Sequence, residues 1–194
     1  MTTPVFLYLS EKPPVFKKLH DFLCQEKVLC IDGALGDGWT GAKERKEVQK
    51  VLQGQVPLSA LIRSAKLEKW DVLDGMNHTI KFKMLDEFKK KDLWDDLSIL
   101  KKHYQALIIY AGCDENDFAF YLKQDITAVW MDMPASVEAA VTVLQRLKDI
   151  QNLYQGAVYF LETGQKISQS VRDFMQQEMQ IFEKLSGCFS ERYL

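Results

Sequence analysis

Val5-Phe6-Leu7-Tyr8-Leu9-Ser10-Glu11-Lys12-Pro13-Pro14-Val15-Phe16-Lys17-Lys18 is the stretch on which the fold turns. Its first five residues form an apolar run without polar alternation, which reads as a strand buried on both faces. A polar, proline-bearing turn follows and leads into a helical stretch from Val15 to Gln25, with Leu19, Phe22 and Leu23 on one face. A second apolar run, Val28 to Ile31, completes a βαβ unit.

The alternation continues along the chain. A loop containing Gly33, Gly36, Gly38 and Gly41 precedes two predicted helical stretches, Lys43 to Gly54 and Leu58 to Ala65, split by Pro57. Trp70 to Leu73 reads as a third strand. From Ile80 to Tyr104 the pattern is helical and heavily charged, with Met84, Leu85, Phe88, Leu93, Leu97 and Leu100 as its apolar stripe and Lys89 to Lys91 on its solvated face. Strands are then expected at Ala106 to Tyr110, Ile126 to Met131 and Ala157 to Phe160. Between them lie helices at Asp117 to Lys123 and at Val137 to Ile150, the latter introduced by Pro134 and capped by Ser136. After Thr163-Gly164 a long amphipathic helix carries Phe174, Met175, Met179, Phe182, Leu185 and Phe189 roughly in line. The expected architecture is a mostly parallel sheet covered by helices on both faces, in a single domain spanning residues 1–194.

Composition narrows the classes of function. The formal net charge is −2, with 25 basic and 27 acidic residues interspersed among 194, so no global charge drives the chain toward nucleic acid or an anionic membrane. No apolar run approaches the roughly 20 residues of a membrane span, and the apolar start is too short for a secretory leader; a cytoplasmic location is the expectation. Cys24, Cys30, Cys113 and Cys188 lack Cys-x-x-Cys spacing and read as structural thiols, with no metal site expected. His20, His78 and His103 are scattered. Asp114, Glu115 and Asp117 stand where a helix begins and complement its dipole better than they serve acid–base chemistry. Asn77-His78-Thr79 has the form of a glycosylation sequon, which means nothing without secretion.

Five segments, in order, resemble the MinD/ParA family of deviant-Walker ATPases, most closely its MinD-like regulators of flagellar number and placement. Ser10-Glu11-Lys12-Pro13-Pro14-Val15-Phe16-Lys17-Lys18 aligns without gaps on the family's phosphate loop, Ser-Gly-Lys-Gly-Gly-Val-Gly-Lys-Thr. Val28 to Gly36 is similar to the strand and first switch, Val-Leu-Leu-Ile-Asp-x-Asp-Leu-Gly. Val51-Leu52-Gln53-Gly54, Pro57-Leu58 and Trp70 to Gly75 are similar to the family's stretch Val-Leu-x-Gly, Pro-Leu and Leu-Asp-Val-Leu-Pro-Gly. Tyr104 to Gly112 sits where the family has Tyr-Asp-x-Ile-Ile-Ile-Asp and its small-residue turn. Met133-Pro134-Ala135-Ser136-Val137-Glu138-Ala139-Ala140 resembles the start of a later helix. The resemblance implies a three-layer P-loop NTPase fold of the SIMIBI class, truncated at the C-terminus, where the family continues with at least one more strand.

The departures bear on function more than the matches. A working loop needs glycines so that backbone N–H groups can turn toward the phosphates at a helix N-terminus. Here Pro13, Pro14 and Phe16 hold glycine positions. Prolines have no N–H to give, and a phenyl ring obstructs close approach. Only Lys12, which in the family reaches a partner's nucleotide, and Lys17, which holds the β/γ-phosphates, remain. The Mg²⁺-binding hydroxyl is Lys18, a cation that repels the metal. Asp32 is kept, but the water-orienting carboxylate is Ala34 and the second-motif carboxylate is Tyr110, a phenol whose ordinary pKa near 10 makes it no substitute. The adenine-reading Asn is not evident, since Tyr159-Phe160-Leu161-Glu162 stands there.

The resulting expectation is a pseudo-ATPase without cofactor, a scaffold or regulator for a protein partner, either an intact family ATPase or a second copy of itself. Lys12, Phe16 and Trp39 are candidates for the partner surface. An unorthodox nucleotide-binding ATPase using Lys12 and Lys17 as bare clamps is the alternative, and an anion or nucleic-acid sensor using Lys12, Lys17, Lys18 and His20 the second. The amphipathic C-terminal helix is expected to be a core helix, because Glu178, Glu183 and Glu191 dilute the cationic face that anionic lipid would require.

Overall fold

A computed structural model describes residues 3–10, 19, 23, 27–32, 50–51, 53–64, 70–73, 86–111, 115–161 and 167–186. Seven strands form one sheet: β1 (Val5–Leu9), β2 (Val28–Asp32), β3 (Ile62–Ser64), β4 (Asp71–Leu73), β5 (Ala106–Tyr110), β6 (Ala128–Asp132) and β7 (Ala157–Leu161). Their spatial order is β3-β4-β2-β5-β1-β6-β7. Every neighbouring pair is parallel except β3 against β4, which is antiparallel at one edge. Strands β1, β2 and β5 coincide with the apolar runs of the sequence because, with a neighbour on each side and helices above and below, they have no face left for polar side chains.

Alternation along each strand divides the core in two. Leu7, Leu9, Leu29, Ile31, Leu107, Ile109, Val129 and Met131 point to one face. That face is covered by α1 (Glu87–Leu100), α2 (Glu115–Leu122), α3 (Val137–Leu153) and α4 (Gln169–Ser186) through Leu97, Phe118, Leu147 and Met175 among others. Tyr8, Val28, Cys30, Ile108, Tyr110 and Trp130 point to the other, where Leu19 and Leu23, both helical, pack against them. The sandwich therefore has three layers.

Local signals set the helix ends. Ser136 caps α3, its Oγ accepting from Ala139 N at 3.2 Å, and Asp86 caps α1 by accepting from Lys89 N at 2.9 Å. The helical turn at Lys50 and Val51 stops at Gly54, whose φ of 70° suits glycine. Gly54 N donates to Val51 O and Gln55 N to Lys50 O, both at 2.8 Å, which is the paired hydrogen-bond pattern of a Schellman C-cap. At the amino end of the sheet, Tyr104 Oη donates to Asp71 at 2.7 Å and the Lys27 ammonium lies 5.7 Å from the centre of the Tyr104 ring. Burial, and then the Asp71 carboxylate, push the Tyr104 phenol well up.

Two expectations need correction. Leu58 to Ala65 is not a helix: Leu58–Leu61 makes one 3₁₀ turn, and Ile62–Ser64 is the antiparallel edge strand, with Ile62 opposite Leu73. The apolar positions 58, 61 and 62 satisfy either period over so short a run, and pairing with β4 decides between them. Phe88 does not belong to the stripe of α1. It is 82% exposed, whereas Leu93 and Leu97 are buried. Five residues before Leu93, it lies about 140° around the helix. The expected positions Met84, Leu85, Phe182, Leu185 and Phe189 fall outside the described side chains, as does most of the Lys43 to Gly54 stretch.

Candidate functional site

The carboxyl ends of four adjacent strands, β2, β5, β1 and β6, bring together Asp32, Tyr110, Ser10 and Asp132. The chain leaves β1 toward β2 on one side and passes from β5 across β1 to β6 on the other. The end of β1 is therefore where the winding changes direction, and in open α/β sheets ligands bind outside such a point.

Ser10, the first residue after β1, is only 3% exposed. Its Oγ donates to one carboxylate oxygen of Asp132 and Tyr8 Oη donates to the other, so the end of β6 is tied to the end of β1. The two strands are in register through Leu9 opposite Met131, which sets Ser10 beside Asp132. Tyr110 ends β5, opposite Asp32 at the end of β2, and is buried with 4% exposure. Its ring is tilted against Tyr8 with centroids 6.2 Å apart. The position that the resemblance assigns to a metal-polarising carboxylate therefore holds a buried aromatic ring beside another.

A cavity of about 270 Å³ opens on the other side of this row, between Leu9, Ser10, Met131, Asp132, the Met133–Ala135 turn and one flank of α3, on which Val143 is buried and Thr142 exposed. Ala139, Thr142, Val143 and Arg146 supply that flank, since spacings of three and four put them on one helix stripe. Apolar atoms make most of the wall, and the carboxylate of Asp132 is engaged by Tyr8 and Ser10.

Of the residues singled out in the sequence, Ser10, Asp32 and Tyr110 meet at this edge. Glu11, Lys12, Pro13, Pro14, Val15, Phe16, Lys17, Lys18, Ala34 and Trp39 lie outside the described residues. Asp132 was missed. Its signal was present, an acidic residue closing the apolar run Ala128 to Met131 just before Pro134. Tyr8, Thr142 and Arg146 gave none, because a tyrosine inside a buried strand and two polar residues on an amphipathic helix are ordinary. Cys30 lies fully buried in the sheet, and burial pushes its thiol well up, so it is an inert core side chain. His103 is exposed at the amino end of the sheet, away from this edge. Among the described residues there is no cluster of three or more metal-ligating side chains, and no helix is long and apolar enough to cross a membrane.

No protein-family profile matches the sequence, and no curated protein is significantly similar to it. Solved structures do match in fold. Cobyrinic acid a,c-diamide synthase from Mycobacterium smegmatis superposes with a TM-score of 0.62 at 15% identity, covering 94% of this chain and 82% of that one. A plasmid partition protein from Borrelia burgdorferi gives 0.60 at 14% identity, over 91% and 87% of the two chains. The MinD cell division protein of Aquifex aeolicus gives 0.55 at 12%, over 89% and 78%. The fold is thus that of the MinD/ParA-type ATPases.

Proposed function

We propose that this protein is a pseudo-ATPase on the MinD/ParA fold, a non-catalytic scaffold or regulator that binds another protein, with flagellar placement, polar localisation or cell division as its setting. The observation that carries this reading is Tyr110 at the end of β5, opposite Asp32. On that fold, metal-assisted phosphoryl transfer needs a carboxylate at the former position, a hydroxyl at the position of Lys18 and amide-presenting glycines at Pro13, Pro14 and Phe16. All three requirements fail together in the sequence, while the apolar frame of the sheet is kept whole. Loss of chemistry with retention of the frame is what a binding role leaves behind.

The partner is an intact ATPase of this fold or a second copy of the chain, and Lys12, Phe16 and Trp39 are the residues proposed to meet it. Aromatic anchors concentrate binding energy at such surfaces. Retention of Lys12 and Lys17 favours one other reading, in which these two lysines clamp a nucleotide without Mg²⁺.

Thermal unfolding with and without millimolar ATP, ADP and GTP, each with Mg²⁺ or EDTA, separates the two. A ligand held at 100 times its Kd adds about 2.7 kcal/mol and raises the midpoint of a chain this size by several degrees. The scaffold reading expects no shift with any nucleotide. A nucleotide-selective rise that Lys17→Ala abolishes would overturn it in favour of the clamp.

A further inference from the structure

We infer that the free edge of β7 is a docking edge for a second copy of the chain, which pairs with it antiparallel across a two-fold axis at Tyr159 and joins two sheets into one. The inference rests neither on the pseudo-ATPase reading nor on Lys12, Phe16 or Trp39.

The two edges of the sheet are built differently. At one, β3 is three residues long, runs antiparallel and carries Arg63, and a short charged strand offers little to an incoming chain. At the other, β7 is Ala157-Val158-Tyr159-Phe160-Leu161, without a charge, a proline or a glycine and rich in the residue types that favour strands. Among the described residues β6 is its one neighbour. A single bond tells which backbone groups face outward. Leu161 O accepts from Met133 N at 2.9 Å, so Leu161 turns its backbone groups toward β6. These groups alternate sides along a strand, so Ala157 and Tyr159 also face β6, and the N–H and C=O of Val158 and Phe160 point away from the sheet.

That pattern is self-complementary. With Tyr159 on the two-fold axis, Val158 lies opposite the partner's Phe160 and Phe160 opposite the partner's Val158. Both are hydrogen-bonded pairs, so each outward N–H finds a C=O, while Tyr159 meets the partner's Tyr159 in the non-hydrogen-bonded pair, where side chains come closest. Moving the axis to Val158 would set Phe160 opposite Gly156, and moving it to Phe160 would set Val158 opposite Glu162, with loss of the apolar pairs. The side chains agree with this register. Val158 and Phe160 belong to the larger buried cluster on one face, and aromatic pairs with β-branched residues across strands are favourable. On the other face Tyr110, Tyr8, Trp130 and Tyr159 lie side by side across β5, β1, β6 and β7. Tyr110, Tyr8 and Trp130 are buried, whereas Tyr159 at the edge is only partly so. A second Tyr159 continues this aromatic row at the point where it meets solvent.

The test is size-exclusion chromatography with light scattering on the full chain from about 1 µM to about 1 mM, with backbone amide exchange followed by NMR at both ends of that range. A dimer is expected to form as concentration rises, and the Val158 and Phe160 amides to exchange at least about tenfold more slowly in it. Tyr159→Lys and Tyr159→Glu each set like charges opposite one another on the axis and should be monomeric, while an equimolar mixture of the two regains a dimer through the opposite pair. Val158→Pro removes an outward N–H and no bond to β6, and should also be monomeric. Tyr159→Phe should dimerise like the parent, and the unfolding midpoint of each variant checks that it is folded. A monomer at every concentration, exchange at Val158 and Phe160 independent of concentration, or a dimer that persists in Tyr159→Lys and Val158→Pro would overturn the inference. A dimer lost in Phe16→Ala or Trp39→Ala but kept in both β7 variants would overturn it and leave the loop-surface reading standing, so the two fail separately.

Discussion

Asp132 is the residue on which the carboxyl edge depends. Replacing it with Ala leaves the hydroxyls of Tyr8 and Ser10 without their acceptor, and Ser10 is too buried to turn to bulk water. Loss of a carboxylate that accepts two hydroxyl hydrogen bonds should lower stability by about 2 kcal/mol, measured as a fall in the urea midpoint with unchanged slope. Tyr154 makes a prediction about pH. Burial, and then the phenolate charge of Tyr159, push its phenol up from 10.0 to about 12. Below pH 10 the group is neutral in both the folded and the unfolded chain. Between pH 10 and about 12 the unfolded chain loses that proton while the folded protein keeps it, so stability falls as pH rises through this window. Tyr154→Phe should flatten that part of the alkaline stability curve in a pH series of thermal midpoints. A curve as steep as that of the parent would show that the group does not titrate as described.

At the scale of the element, the apolar residues of α1 are not equivalent. Leu97→Ala opens a cavity under the helix and should cost about 2 to 5 kcal/mol, whereas Phe88→Ser, at a largely exposed position, should change stability by less than about 0.5 kcal/mol. Comparable losses from the two would return Phe88 to the buried stripe. Gly54→Ala should cost about 1 kcal/mol from backbone conformation alone, since φ is 70° and nothing lies within 4 Å of the added methyl. The same elements show how much of the fold the chain declares. Strands β1, β5 and β7 were legible nearly to the residue because a buried parallel strand is an unbroken apolar run bounded by polar residues, and α3 because Pro134, Ser136 and a clean stripe mark its start and face. Strand β3 was illegible because three residues cannot display a period, and only β4 gives them a partner. The candidate site was half legible. Ser10, Asp32 and Tyr110 follow from motif order, but the Tyr8–Asp132–Ser10 junction joins residues more than 120 positions apart, and only the register of β1 on β6 brings them together.

For the whole molecule, the MinD/ParA-type fold carries at its carboxyl edge a junction of buried aromatic and hydroxyl side chains. Tyr110 packs against Tyr8, and Asp132 is engaged by the hydroxyls of Tyr8 and Ser10. If the protein is the protein-binding scaffold proposed above, size-exclusion chromatography with light scattering, alone and with a MinD/ParA-type ATPase added, should reveal a self-dimer or a mixed complex that Phe16→Ala or Trp39→Ala weakens. The most direct measurement is phosphate release from ATP and from GTP with Mg²⁺ by the purified chain, set beside Lys17→Ala. The account predicts rates equal to the protein-free background for both proteins. Release above background that Lys17→Ala abolishes would contradict it, because the loop would then be working despite its prolines and the missing carboxylate at Tyr110.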